Sequence, residues 1–201
     1  MDNAPDSSGW DAEAASFDAE PDHGLHSPRV REAWRTLLTS LLPPAPARVA
    51  DLGCGTGSLS LLLAEDGYAV DGLDFAPEMV RRAQAKAGTF PDTSFRVGDA
   101  ADPDLPRGSF DVALCRHVLW ALPDPGTVLE RWVELLAPDG RLVLVEGSWS
   151  TGAGLTAAQT ITLVESAGLE ARLRPLPDAE LWGKRISDER YAVVGRRTRL
   201  A

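Results

Sequence analysis

Val49-Ala50-Asp51-Leu52-Gly53-Cys54-Gly55-Thr56-Gly57-Ser58-Leu59 runs from an apolar strand through three alternating glycines into an amphipathic helix. Glycines at a strand-to-helix turn let the backbone bend sharply and approach a ligand closely. The N–H groups that open the helix present partial positive charge to that ligand. The stretch therefore predicts a site for a nucleotide-sized cofactor. A dinucleotide fingerprint spaces its small residues as G-x-G-x-x-G/A. Here Ser58 stands where that pattern needs its third small residue, and Gly57 comes one place early. Hydride chemistry on a nicotinamide is disfavoured on that ground.

Outward from this turn, apolar strands alternate with helical patterns from Arg48 onward, the sequence form of a parallel sheet covered on both faces. Strands are expected near 48–52, 68–74, 93–98, 110–116, 141–147, 169–175 and 190–196, and helices near 57–66, 77–87, 125–136 and 156–167. Right-handed crossovers then gather the active loops at the carboxyl ends of the strands. The last two strands are separated by Leu176-Pro177-Asp178-Ala179-Glu180-Leu181-Trp182-Gly183-Lys184. That is too short for a full crossover, which predicts an antiparallel final strand. Ahead of the sheet, Ser27-Pro28 starts a helix whose apolar positions are Val30, Trp34, Leu37, Leu38 and Leu41.

With Asp51 included, the glycine stretch reads D-x-G-x-G-x-G and resembles motif I of class I S-adenosylmethionine-dependent methyltransferases. Three further matches follow in the family's order. They are the acidic strand end Tyr68-Ala69-Val70-Asp71-Gly72-Leu73-Asp74, then Gly98-Asp99-Ala100, then Phe110-Asp111-Val112-Ala113-Leu114-Cys115-Arg116-His117. Leu135-Leu136-Ala137-Pro138-Asp139-Gly140-Arg141-Leu142-Val143-Leu144-Val145 adds the helix, Pro-x-Gly turn and fifth strand of small-molecule members. The resemblance covers most of residues 47 to 148. It implies a Rossmann-like, doubly wound α/β sheet of seven strands, mostly parallel with an antiparallel last strand. It also implies S-adenosyl-L-methionine as cofactor, S-adenosyl-L-homocysteine as product, and methyl transfer to an O or N nucleophile of a small molecule, with secondary metabolism as one setting. A different reaction on the same cofactor, such as C-methylation or intramolecular alkylation, and a non-catalytic binding protein are the alternatives.

The same resemblance implies residue roles. Asp74 is the ribose ligand, Asp99 meets the adenine amino group, the Ala100 N–H meets a ring nitrogen, and Asp51 lies near the methionine amino group. Gly53, Cys54, Gly55 and Gly57 form the loop between them. A carboxylate at a strand end can accept hydrogen bonds from both ribose hydroxyls, yet Asp74 can also cap the helix that begins at Pro77. Phe75 and Met79 read as adenine contacts or as core. Arg116 and His117 end the fourth strand beside the expected sulfonium. Methyl transfer is an in-line displacement, so the protein must align the nucleophile, exclude water and remove a proton where one is present. His117 is the candidate catalytic base, because imidazole takes up a proton near neutral pH; a structural histidine capping the next helix is the other reading.

Arg116 belongs with the cofactor set, and together with Arg29, Arg31 and Arg185 it is able to grip a carboxylate or phosph(on)ate in an acceptor pocket, with solvent-facing arginine as the other reading. For the acceptor pocket the candidates are His23 and His26 in the N-terminal segment, and Trp120, Trp149 and Trp182 on loops at strand ends. Surface histidines and plain hydrophobic cover are the alternative readings. Trp34 and Trp132, on helical faces, read as core.

Composition sets the outer bounds. At 201 residues the chain is the size of one domain. Its formal charge of -10 opposes a nucleic-acid partner, since phosphate binding needs a basic surface. Met1-Asp2-Asn3-Ala4-Pro5-Asp6 has neither the basic start nor the apolar core of a signal peptide, and no apolar run approaches a membrane span, so a cytoplasmic protein is expected. Cys54 and Cys115 lack metal-ligand spacing and read as small buried filler, and no metal is expected. Residues 1–26 are acidic and rich in small residues, with Trp10 and Phe17 as their large apolar anchors. They are expected to be a mobile lid segment that docks through these aromatics and is ordered by ligands, over a methyltransferase domain at 27–201. The oligomeric state stays open.

Overall fold

The computed structural model describes residues 7–88 and 90–197. Its strands are β1 (Arg48–Leu52), β2 (Ala69–Asp74), β3 (Thr93–Val97), β4 (Phe110–Arg116), β5 (Leu136–Ser148), β6 (Leu169–Pro175) and β7 (Glu189–Arg197). They form one sheet in the order β3-β2-β1-β4-β5-β7-β6. The first five strands are parallel, and β7 runs antiparallel between β5 and β6. This is the doubly wound, Rossmann-like α/β sheet expected from the sequence. The helices are α1 (Ser8–Glu13), α2 (Pro21–Gly24), α3 (Pro28–Leu41), α4 (Ser58–Glu65), α5 (Pro77–Ala87), α6 (Pro125–Leu135), α7 (Ala157–Ser166) and α8 (Ala179–Trp182). Only the single turn of α8 separates β6 from β7, too little chain for a parallel crossover.

Successive residues of the central strands are buried on opposite faces, as strands covered on both sides require. Val112, Leu114, Val143 and Val145 pack with Trp34, Leu38 and Leu62 on one face. Ala113, Cys115, Leu142 and Leu144 pack with Leu129, Trp132 and Val164 on the other. The start of β5 differs from the expectation near 141. Phe110 pairs with Leu136 and Val112 with Arg141, so the register slips between them. Gly140 lies where an added Cβ would stand 2.8 Å from the Phe110 carbonyl oxygen. Pro138-Asp139-Gly140 is therefore held inside an irregular strand rather than in a free turn.

In the N-terminal segment the docking expected of its aromatics is joined by polar anchors. Residues 1–6 of the expected lid lie outside the described residues, and residues 7–26 are docked rather than free. Ala14 and Leu25 are buried. Asp11 accepts the Glu78 N–H in the first turn of α5 at 2.9 Å. Asp18 accepts the Thr56 hydroxyl at 2.5 Å and pairs with Lys86 at 2.8 Å. Phe17 and His23 stack with ring centres 4.3 Å apart. The acidic composition that argued against independent folding supplies these anchors, because carboxylates dock on a helix N-terminus and on a lysine. Among the described residues, no helix is long and apolar enough to cross a membrane. No group of three or more His, Cys, Asp or Glu among them is arranged to hold a metal ion.

Candidate functional site

The loops that leave parallel strands at their carboxyl ends meet along one edge of the sheet, and a cavity of about 500 Å³ opens there. Its floor includes Asp51, Gly53, Cys54 and Gly55, and its walls Asp74, Phe75, Met79, Asp99 and Ala100. Arg116, His117 and Val118 bound it at the end of β4, and Trp10, Phe17 and His23 close over it. Eleven of the sequence candidates thus share one cavity with the predicted catalytic residue: Asp51, Gly53, Cys54, Gly55, Asp74, Phe75, Met79, Asp99, Ala100, Arg116 and His23.

The three glycines divide the work. Gly53 (φ +78) would place a Cβ 2.4 Å from a Val118 methyl, and Gly57 (φ +79) would place one 2.9 Å from the Phe95 ring. Both are demanded by the turn and its packing, and Gly57 lies outside the cavity wall. At Gly55 (φ +55) an added Cβ would meet only the Phe17 ring, at 3.5 Å. Gly55 is the bare backbone on the cavity side.

Asp74 ties the loop to the next helix. One oxygen accepts the Gly55 N–H at 2.8 Å and the other accepts the Ala76 N–H at 2.9 Å. Burial raises its pKa, and the two hydrogen bonds oppose that rise. The capping and ligand readings are therefore compatible, because each carboxylate oxygen has capacity for a second hydrogen bond. Asp99 accepts the Ala101 N–H at 2.8 Å. From beneath, the Trp132 indole N–H donates to the Ala100 carbonyl at 2.8 Å, and Arg131 to that of Ala101 at 2.6 Å. Asp51 accepts the Ser60 hydroxyl at 2.5 Å. Burial pushes its carboxyl up to about 6, with Ser60 and Arg116 pulling the other way. Burial also raises both thiols, Cys54 and Cys115, which keeps them protonated.

At the end of β4 the backbone turns abruptly. His117 has φ 59, a left-handed conformation that is costly for a side chain other than glycine. Its N–H donates to the Val145 carbonyl at 2.9 Å, and its own carbonyl accepts the Trp120 indole N–H at 3.0 Å. The imidazole stacks on Trp182 at 5.7 Å and meets Trp149 edge-on at 5.2 Å. Nε2 is buried without a hydrogen-bond partner. Burial, then the Arg116 and Arg190 charges, hold the imidazole pKa well below its usual value, so the ring is neutral at physiological pH. Arg116 donates to the Asp22 carbonyl at 2.5 Å and lies over the Trp34 ring at 5.1 Å. Just past the turn, the Leu119 N–H donates to Glu146 at 3.0 Å. Glu146 is fully buried, and burial pushes its carboxyl up to about 8.

Several sequence candidates stand elsewhere. Trp182 is in α8 rather than on a loop, 1% exposed, with its indole N–H on the Leu176 carbonyl at 3.0 Å. The short helix turns it inward, edge-to-face against Trp34 at 5.5 Å. Trp120 and Trp149 are half-buried behind His117 and do not line the cavity. His26 is exposed and also outside it. Arg29 and Arg31 pair with Glu180 and Glu65. Residues not singled out from the sequence include Val118 and Leu122 in the wall, Glu146 beneath it, and Arg190. Arg190 sits between Trp149 and Trp182, 5.1 Å from each ring centre, and pairs with Asp188 at 3.2 Å. Within β7 it reads as one more strand residue, and only the fold brings it to His117.

A family model described as "Methyltransferase domain" matches residues 50–144. The chain is 35% identical over 139 residues to the ubiquinone biosynthesis O-methyltransferase of Xanthomonas axonopodis pv. citri (strain 306), which covers 67% of this chain and 54% of that protein. It is 39% identical over 122 residues to the nocamycin O-methyltransferase of Saccharothrix syringae, covering 57% and 42%. The chain spans about half the length of the curated relatives it matches. Among solved structures, a chain from the Haloferax volcanii complex with the Trm112 methyltransferase activator matches with a TM-score of 0.72 at 24% identity, over 94% of this chain and 98% of that one. That likeness shows a shared fold. Residues 50–144 thus match a methyltransferase domain, carried on the sheet order and glycine turn of the class I S-adenosylmethionine-dependent methyltransferase fold.

Proposed function

We propose that this protein transfers a methyl group from S-adenosyl-L-methionine to an oxygen or nitrogen of a small molecule and releases S-adenosyl-L-homocysteine. One observation carries the reading: the bare backbone at Gly55, the carboxylates of Asp51, Asp74 and Asp99, and the Arg116-His117 strand end all face one cavity. These residues fit the cofactor's parts. Asp74 would accept from the ribose hydroxyls, and Asp99 with the Ala100 N–H would read the adenine edge between Phe75 and Met79. Asp51 would face the methionine ammonium and Arg116 its carboxylate. When bound, the cofactor supplies a methyl carbon made electrophilic by its sulfonium.

The chain's own part is alignment and exclusion of water. His117 would stand beside the reacting atoms as base or orienting partner. Residues 7–26 would serve as the lid, with His23 on its inner side. The likeness to the ubiquinone and nocamycin O-methyltransferases supports a small acceptor, and the latter supports a setting in secondary metabolism. Calorimetry tests the cofactor: S-adenosylmethionine and S-adenosylhomocysteine should bind one per chain and NAD should not. Binding of NAD alone would overturn the reading. With an acceptor in hand, a product mass higher by one methyl separates transfer from intramolecular alkylation.

A further inference from the structure

His117 takes the left-handed φ of 59, and Val118 after it returns to φ -121, ψ -39. A left-handed residue beside a right-handed one turns successive backbone N–H groups toward a common point and makes a concave anion site. Here the concavity is filled from within the chain. Oε1 of Glu146, on β5, accepts the Leu119 N–H at 3.0 Å, the Val118 N–H acts on the same carboxyl, and the Cys115 thiol lies 4.0 Å from Oε1. Oε2 is buried with no hydrogen-bond partner, and the whole residue is shielded from solvent. A carboxyl half unpartnered in the core is costly. An apolar residue, like Leu144 and Val145 before it, would fill this strand position at less cost. It would leave the Leu119 N–H without its acceptor.

The bend so held reaches the glycine loop. The Val145 carbonyl accepts the His117 N–H at 2.9 Å, so β5 grips the turn at two successive residues, by backbone at Val145 and by side chain at Glu146. Val118 stands between the two grips. Its methyl lies so close to the Gly53 backbone that a Cβ added there would be 2.4 Å away. From the other side, the Gly53 N–H donates to the Leu73 carbonyl of β2 at 2.8 Å. Gly53 is therefore clamped between β2 and the turn, and both Gly53 and Val118 line the cavity.

Resting on the cofactor reading above, we propose that Glu146 is a positioning residue for the cofactor. By filling the concavity of the Val118 and Leu119 amides it sets Val118 against Gly53, and so fixes the part of the cavity, between Asp51 and Arg116, that would receive the methionine half. Glu146 touches no ligand itself and acts through the main chain of the turn. The adenosine half is built elsewhere, on the ends of β2 and β3, where Asp74 holds the Gly55 and Ala76 amides and Asp99 that of Ala101. Loss of the Glu146 acceptor should accordingly be felt at one end of the ligand and not at the other.

The test compares two probes on the full chain by calorimetry: S-adenosylhomocysteine, which carries the amino-acid half, and methylthioadenosine, which lacks it. Glu146→Leu fills the space without an acceptor. It should weaken S-adenosylhomocysteine by at least about tenfold and leave methylthioadenosine unchanged. Glu146→Gln keeps an acceptor oxygen and should hold both affinities at the wild-type value. A generally loosened fold would weaken both probes, so a parallel loss in Glu146→Leu would overturn the proposal. Unchanged S-adenosylhomocysteine binding in that variant would overturn it too, as would an equal loss in Glu146→Gln. Should Glu146→Leu fail to fold, hydrogen exchange on the wild type decides. The coupling is reciprocal, so S-adenosylhomocysteine at saturation should slow exchange of the Leu119 amide more than methylthioadenosine does, and equal effects would overturn the proposal. Wild-type protein that binds neither probe would instead bring down the cofactor reading, and this inference with it.

Discussion

In the proposed site Gly55 and Asp74 would meet one ligand by opposite means, one by having no side chain and the other by what its side chain accepts. Gly55 lines the cavity at φ +55. Gly55→Val would add both backbone strain and branched bulk where the ligand must approach, so calorimetry should find S-adenosylhomocysteine binding abolished. Asp74→Ala removes a charged acceptor and should weaken binding by about 1.5–3 kcal/mol. It should also loosen the loop, because Asp74 fixes the Gly55 and Ala76 amides. Unchanged affinity in both variants would place the site elsewhere. These two residues were legible in the sequence because their chemistry is local: a glycine that must turn and an acid at a strand end. Trp34 and Trp132 were legible as core and are fully buried, but Trp120, Trp149 and Trp182 were not legible. Trp149 follows β5 and Trp182 lies in α8, yet both pack on His117 and Arg190, residues at the end of β4 and on β7 that only the assembled sheet brings together.

At the scale of elements, the turn after β4 depends on β5. Glu146, buried near the end of β5, holds the Leu119 N–H and with it the start of the short 3-10 turn Leu119–Ala121. Burial raises its carboxyl from the ordinary 4.5 to about 8, so in this interval the folded protein keeps a proton that the unfolded chain has released. The sign follows: stability falls as pH rises between those values, by at most about 1.4 kcal/mol per pH unit from this group. Glu146→Gln keeps an acceptor for Leu119 and removes the titration. Its urea midpoint should therefore vary less between about pH 5 and pH 8 than that of the wild type. An equal slope in both proteins would show that Glu146 stays ionised in the fold. The regular elements β1, β4, α5 and α6 were readable from period and caps. The docked N-terminal helices were not, because acidic, small residues read as unfolded until the partners Thr56, Lys86 and the first turn of α5 are in place.

Over the whole molecule, the cavity links both halves of the sheet and the N-terminal segment, so a ligand filling it should stabilise the fold as a unit. Saturation at a hundredfold over the dissociation constant contributes about 2.7 kcal/mol. In a domain of this size that is a rise in Tm of roughly 5–10 °C. Differential scanning should show it with S-adenosylhomocysteine, and a flat response to that ligand alongside a rise with NAD would contradict the cofactor assignment. Strand direction was legible to the last strand, since a connection too short for a crossover leaves an antiparallel strand as the solution. The segment folded over the cavity has a kinetic consequence. Its contacts reach both sides, Asp18 to Thr56 on the glycine loop and Arg116 to the Asp22 carbonyl at the end of β4. If the segment is the lid proposed above, a spent cofactor leaving beneath it would have to break both attachments. The first turnover should therefore run ahead of the steady state, giving a pre-steady-state burst of methylated product. Asp18→Ala should shrink the burst by raising the steady-state rate, and a linear onset in the wild type would show that the strap opens faster than the chemistry proceeds.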